Sequence, residues 1–157
     1  MPPATIGPVY DRHQLATPPM TVTSSFVRRF HLLKLLRVSL VAGALYDLGF
    51  AALMVTAPGV PARMFDLPLP PLPRGAFYLW ILATLLAMLA MLYLAAAHDP
   101  RRYSAIIAVA IGGRVAGAVA FAIAALLGPD LRGLLPLAAA DLAFGAVHAA
   151  AWLPIRS

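Results

Sequence analysis

Cysteine and glutamate are both absent. The first absence excludes disulfides, thiol nucleophiles and thiolate metal sites, and it leaves the redox compartment open. The second leaves carboxylate chemistry to the aspartates alone, six in all. Charge of either sign is scarce, at 11% of residues, against roughly 25% in ordinary soluble domains. No nucleophile–base set and no metal-ligand spacing is visible, so no catalytic or metal-binding residue is assigned. What the chain has in excess is apolar sequence, 62% of its 157 residues. It falls in runs of about 20 residues, the length that crosses a bilayer. The net charge of +6 sits mostly on bases flanking those runs. Anionic lipid headgroups, and not nucleic acid, are therefore the expected counter-charge.

The punctuation divides the chain. Residues 1–25 are rich in proline, threonine and serine and read as an extended tail. The first long apolar run begins too late, and is too long, for a signal peptide. Residues 26–37 (FVRRFHLLKLLR) are basic and amphipathic and read as a short interfacial helix, with Arg28, Arg29, Lys34 and Arg37 as headgroup contacts. Residues 38–157 are expected to form an all-α, integral membrane four-helix bundle, with spans at about 38–57, 76–97, 103–127 and 134–153. The proline-rich loop after Pro58 reads as a stiff cap, or as a recruitment site for a proline-binding module. The second span carries no charge; Tyr78, Trp80 and Tyr93 near its ends suggest an aromatic belt, and the span reads as the most lipid-exposed. Arg101 and Arg102 follow it as further headgroup contacts.

Three charges interrupt the apolar runs: Asp47, Arg114 and Asp141. An arginine at mid-bilayer costs from about 3 kcal/mol on insertion scales to above 10 in simulations, so it persists only when it faces protein or water and has a partner. Lys and Arg outside the spans crowd one side: Arg12, Arg28, Arg29, Lys34, Arg37, Arg101, Arg102 and Arg156, against Arg63, Arg74 and Arg132. By the positive-inside rule both termini are expected in the cytoplasm. Asp47 then lies about nine residues into its span from that side, Arg114 about eleven and Asp141 about twelve, which is within roughly 5 Å of one depth. Arg114 is expected to pair with Asp141, Asp47 or both. Such a pair can simply fix which helix meets which, or it can line a working pocket. His148 follows Asp141 and Gly145 at helical spacing on one face. It reads as a capping or belt histidine, a proton relay, or an axial ligand to a tetrapyrrole.

Small residues mark where helices approach. Gly43 shares a face with Asp47, and Gly145 shares one with Asp141. Gly113 and Gly117 form GxxxG in the third span, packing within the bundle or against another subunit.

Leu45-Tyr46-Asp47-Leu48-Gly49-Phe50, Ala62-Arg63-Met64-Phe65-Asp66-Leu67, the His98-Asp99-Pro100-Arg101-Arg102 turn, Gly112-Gly113-Arg114 and Asp141-Leu142-Ala143-Phe144 together resemble the small bacterial four-span DoxX-like proteins. In that group a basic residue lies within the third span and a polar one in the first and fourth, and Arg114, Asp47 and Asp141 match those places. The group takes its name from a subunit associated with a membrane thiosulfate–quinone oxidoreductase, so the resemblance implies an accessory role in a bacterial membrane. The layout is also similar to the sterol-isomerase superfamily, but the absence of glutamate counts against carrying over that chemistry.

The reading is therefore a non-catalytic accessory or structural subunit in the bacterial inner membrane. Its expected partners are lipids and either other membrane subunits or copies of itself. The alternatives are a binder of a small apolar molecule (quinone, lipid or pigment) at the Asp–Arg–Asp spot, and an enzyme on an apolar substrate.

Overall fold

The computed structural model describes residues 21–69, 71 and 73–156, with side chains from residue 26. The first twenty residues of the proline-rich tail lie outside this description. The described residues form an all-α bundle of five α-helices: α1 (Thr21–Thr56), α2 (Gly59–Met64), α3 (Arg74–His98), α4 (Ser104–Leu127) and α5 (Leu135–Trp152). Four of them, α1 and α3 to α5, are long and apolar enough to cross a membrane. The chain is a multi-pass membrane protein.

Breakers set the ends. Pro58 follows α1, Asp99-Pro100 separates α3 from α4, and Gly128-Pro129 closes α4 before a 3-10 segment, Pro129–Leu134. Each proline removes a backbone donor that a continuing helix would need. α5 opens with Pro136 in its first turn, where that missing donor is harmless.

Two features depart from the sequence reading. The basic segment 26–37 is not a separate interfacial helix, because α1 is continuous over 36 residues and begins at Thr21, inside the expected tail. Nothing between Thr21 and Thr56 is proline or glycine except Gly43 and Gly49, so the helix has no cause to stop. At 1.5 Å per residue α1 is roughly 54 Å long, more than the ~30 Å hydrocarbon layer requires. The second span is also not set apart as the most lipid-exposed: 22% of the most apolar window is buried in α3 and in α4 alike.

Packing runs α3 on α1, α1 on α5 and α5 on α4, with a lighter contact closing α4 on α3. α1 and α4 are diagonal, with no Cα–Cα approach within 8 Å among the described residues. Leu36, Leu40, Ala96, Ala97, Ile107 and Ala151 form the apolar core at the end where α1 begins. Ala44, Ala90, Tyr93 and Ala110 continue it toward the middle. Most core positions are alanine, which brings backbones close without a bulky filler.

The opposite end is held by a loop contact. After α2 the chain turns through Asp66, whose φ of 48° is a left-handed conformation rare outside glycine. The Leu67 amide donates to the Ala62 carbonyl at 2.8 Å to close the turn. Gly133 of the 3-10 segment fits against it so tightly that a Cβ there would collide with the Phe65 carbonyl oxygen. Gly133→Ala must therefore move backbone, and we expect it to lower stability by roughly 1–3 kcal/mol, the usual range for overpacking. Gly112→Ala, with nothing within 4 Å of the new methyl, should leave thermal unfolding in detergent unchanged or slightly raised. Equal midpoints for the two variants would refute this account of the loop contact.

Candidate functional site

Helix periodicity turns Gly43, Tyr46 and Asp47 of α1 inward, together with Asp141, Phe144, Gly145 and His148 of α5. Arg114 enters from α4 and Tyr93 from α3. All four long helices thus meet at one level.

The Arg114 guanidinium is the hub. Nη1 donates to Asp141 Oδ1 at 2.5 Å, and Nη2 donates to both oxygens of Asp47 at 2.9 Å. Nη2 also lies 3.4 Å from the Gly43 carbonyl oxygen, a weaker contact. The structure thus brings Asp47, Arg114 and Asp141 into one ion-paired cluster, and the three are 1%, 6% and 8% exposed. Because α1 and α4 are diagonal, only a long side chain can join them, and arginine can offer separate donors to two carboxylates.

Three rings complete the enclosure. The guanidinium carbon lies 5.5 Å from the Tyr46 ring centroid, 5.3 Å from Tyr93 and 5.2 Å from Phe144. Cation–π contacts of this kind are worth from about 0.5 to about 2 kcal/mol each, the larger values applying where water is excluded. The rings also touch one another. Phe65, Phe50, Tyr46, Phe144 and His148 form a ladder with centroid spacings of 5.7, 4.9, 5.6 and 6.1 Å. It runs from the loop after α2 to the far side of the charge cluster.

Glycines make the room. A Cβ at Gly145 would lie 3.3 Å from Arg114 Cβ, and one at Gly117 would lie 2.8 Å from Asp141 Oδ2. One at Gly43 would meet Arg114 Nη2, Tyr93 and His148 at 3.5 to 3.7 Å. Gly113 is different: it faces outward with nothing within 4 Å. Of the GxxxG pair, only Gly117 serves the intrachain packing, because the helix turns Gly113 away by the time it turns Arg114 inward.

Two aromatic assignments need correction. Tyr93 is not a belt residue. It is 3% exposed, on the inward stripe of α3 shared with Ala83, Ala90 and Ala97. Tyr78 and Trp80 do face outward. His148 is not a belt or capping histidine either: it is fully buried among Gly43, Tyr93 and Phe144. Its two ring nitrogens, and Arg114 Nε, have no hydrogen-bond partner among the described residues.

The aromatic enclosure was missed from sequence, and the signal was present. Tyr46 is adjacent to Asp47, and Phe144 is three residues past Asp141 and four before His148. Among the headgroup candidates, Arg37 bends back so that Nη2 donates to the His98 carbonyl at the end of α3, at 3.5 Å. Arg28, Arg29, Lys34, Arg101 and Arg102 are exposed at the same end.

No protein-family model, curated protein or solved structure matches the chain.

Removing one partner of a buried ion pair typically costs about 3–5 kcal/mol, because the other charge is stranded. Arg114→Met strands two carboxylates and should be the most damaging single change, with Asp47→Asn and Asp141→Asn less so. Combining all three should regain stability over Arg114→Met alone, since no charge then remains to be stranded. Unfolding midpoints in detergent would show this, and simple additivity of the three losses would contradict it.

Proposed function

We propose that the chain is a non-catalytic accessory or structural subunit of a larger bacterial membrane complex, of the DoxX-like kind its motifs resemble. We place it in the inner membrane with both termini cytoplasmic, on the excess of Lys and Arg at that side. The observation that carries the reading is the enclosure of the charge cluster. Both carboxylates are ion-paired to the guanidinium through its Nη1 and Nη2 atoms in a nearly solvent-free core. A reacting or ligand-binding acid needs an approach for its substrate. The grooves described at the surface are lined by other residues.

With its polar centre committed to holding the helices, the chain has its outer surface and ends for recognition. One outward face of α4 carries Gly112, Gly113, Ala116 and Ala120, all exposed. Small residues of this kind let a helix of another subunit approach closely. A quinone, lipid or pigment bound at the Asp–Arg–Asp cluster is the second reading. It would need Tyr46, Tyr93 and Phe144 to move off the guanidinium, and the packing here does not favour it.

Extraction from native membranes in a mild detergent, with mass spectrometry and an absorbance spectrum, tests this. We expect stoichiometric partner subunits, and we expect Gly113→Leu to release them about tenfold more readily without altering the unfolding midpoint. A small oligomer that carries a quinone or pigment would replace this reading with the ligand-binding one.

A further inference from the structure

Three segments far apart in sequence converge at the end of the bundle where α1 begins. Arg29 and Leu33 come from α1, Pro100, Arg101 and Ser104 from the start of α4, and Trp152, Ile155 and Arg156 from the end of α5. They line a groove of about 230 Å³. Arg29, Arg101 and Arg156 put their charges on one concavity, and among the described residues none of them is ion-paired, because both ion pairs belong to Arg114. The Arg156 guanidinium lies 5.6 Å from the Trp152 ring centroid, so the indole steadies it at the rim. Ser104 opens α4, so the positive end of that helix's dipole lies at the same spot.

The walls matter as much as the charges. Leu33, Trp152 and Ile155 are half-buried, and with Pro100 they make one side of the groove apolar. Position fits as well: the groove lies where α4 begins and α5 ends. The α1 residues that reach it precede the apolar part of that helix by a turn or two, at headgroup depth. A concavity lined by three arginines and, among its described lining residues, by no carboxylate, continued by an apolar wall at the membrane boundary, complements a phosphodiester that carries acyl chains. A soluble anion would use the arginines and leave the wall without purpose.

We propose that this groove binds one anionic glycerophospholipid, its phosphate between Arg29, Arg101 and Arg156 and an acyl chain along Leu33, Trp152 and Ile155. The site is separate from the Arg114 cluster and does not depend on the accessory-subunit reading. Arg28, Lys34 and Arg102 do not line it and remain general headgroup contacts.

The test uses the full chain in detergent. Retention of phosphatidylglycerol is followed by native mass spectrometry, against phosphatidylcholine of the same acyl chains and against inorganic phosphate. We expect the anionic lipid to bind about tenfold or more tightly than the zwitterionic one. The variant Arg29→Gln/Arg101→Gln/Arg156→Gln should lose that preference. A charge-matched control at the opposite end, Arg63→Gln/Arg74→Gln/Arg132→Gln, should keep it. Trp152→Ala, which keeps every charge, should weaken the anionic lipid while leaving the preference in place. Should the triple variant fail to fold, Arg101→Gln and Arg156→Gln singly carry the same comparison. The proposal is overturned if the groove variants retain the anionic lipid as the wild type does. It is also overturned if the opposite-end control loses as much, or if inorganic phosphate displaces the lipid at comparable concentration.

Discussion

A guanidinium in hydrocarbon has to be neutralised and hydrogen-bonded where it stands, and the packing of this bundle follows from that requirement. Arg114 sits on α4, yet its most extensive partner, Asp47, is on the diagonal helix α1, which α4 does not otherwise approach closely. The side chain therefore spans the interior. α5 must leave a passage for it, and Gly145 does so at the Arg114 Cβ. α1 must accept the far end of the guanidinium without a bulky neighbour, and Gly43 does so. Any rotation of α1 or α5 about its axis would take a carboxylate away from the charge. The cluster thus fixes rotation as well as adjacency, which an alanine-rich interface alone specifies poorly. Alanine faces slide past one another with little change in contact, and an ion pair does not.

The rings around the guanidinium extend the same logic. Two carboxylates and one guanidinium leave a formal negative charge, and Tyr46, Tyr93 and Phe144 exclude the water that would otherwise compete for it. Excluding water strengthens every contact inside the cluster and raises the penalty for losing any one of them. The ladder through Phe50 to Phe65 then couples the centre to the loop that Gly133 locks. The two ends of the molecule differ accordingly. One is tied to the centre by a chain of tilted ring contacts and a tight backbone contact. The other is an alanine–leucine core ending in exposed bases.

How far the sequence announces this depends on how improbable each residue is in its setting. A charge within an apolar run is improbable enough to carry information, so Asp47, Arg114 and Asp141 stand out, and counting residues places them at one depth. The spans are legible because bilayer thickness demands their length. Aromatic residues are less informative, since a tyrosine near a span end suits the membrane interface and the core equally. Tyr93 shows its inward role only through its spacing from Ala83 and Ala90. The Gly133–Phe65 contact joins loops distant in the chain, and no local pattern signals it. The grouping of Arg29 with Arg101 and Arg156 is hidden for the same reason. Read linearly, Arg29 belongs with Arg28 and Arg101 with Arg102, yet helix geometry sends the neighbours elsewhere.

These differences bear on where recognition can occur. A buried charge that serves as a lock cannot also serve as a gate unless the lock opens, and here opening would break hydrogen bonds to two helices and three ring contacts together. Each loss strands charge in a medium that cannot solvate it, so even partial opening is penalised. On the accessory-subunit reading we propose, such a centre holds the helices and recognition falls to the outer surface. Its lateral surface is apolar, with one small-residue face on α4. One end is closed by the Phe65–Gly133 contact, and the other presents three arginines around an apolar groove. The polar group that is most conspicuous in the sequence is thus the one least available to a partner. The surfaces we propose for recognition are ones that a linear reading sees only as ordinary membrane-protein composition.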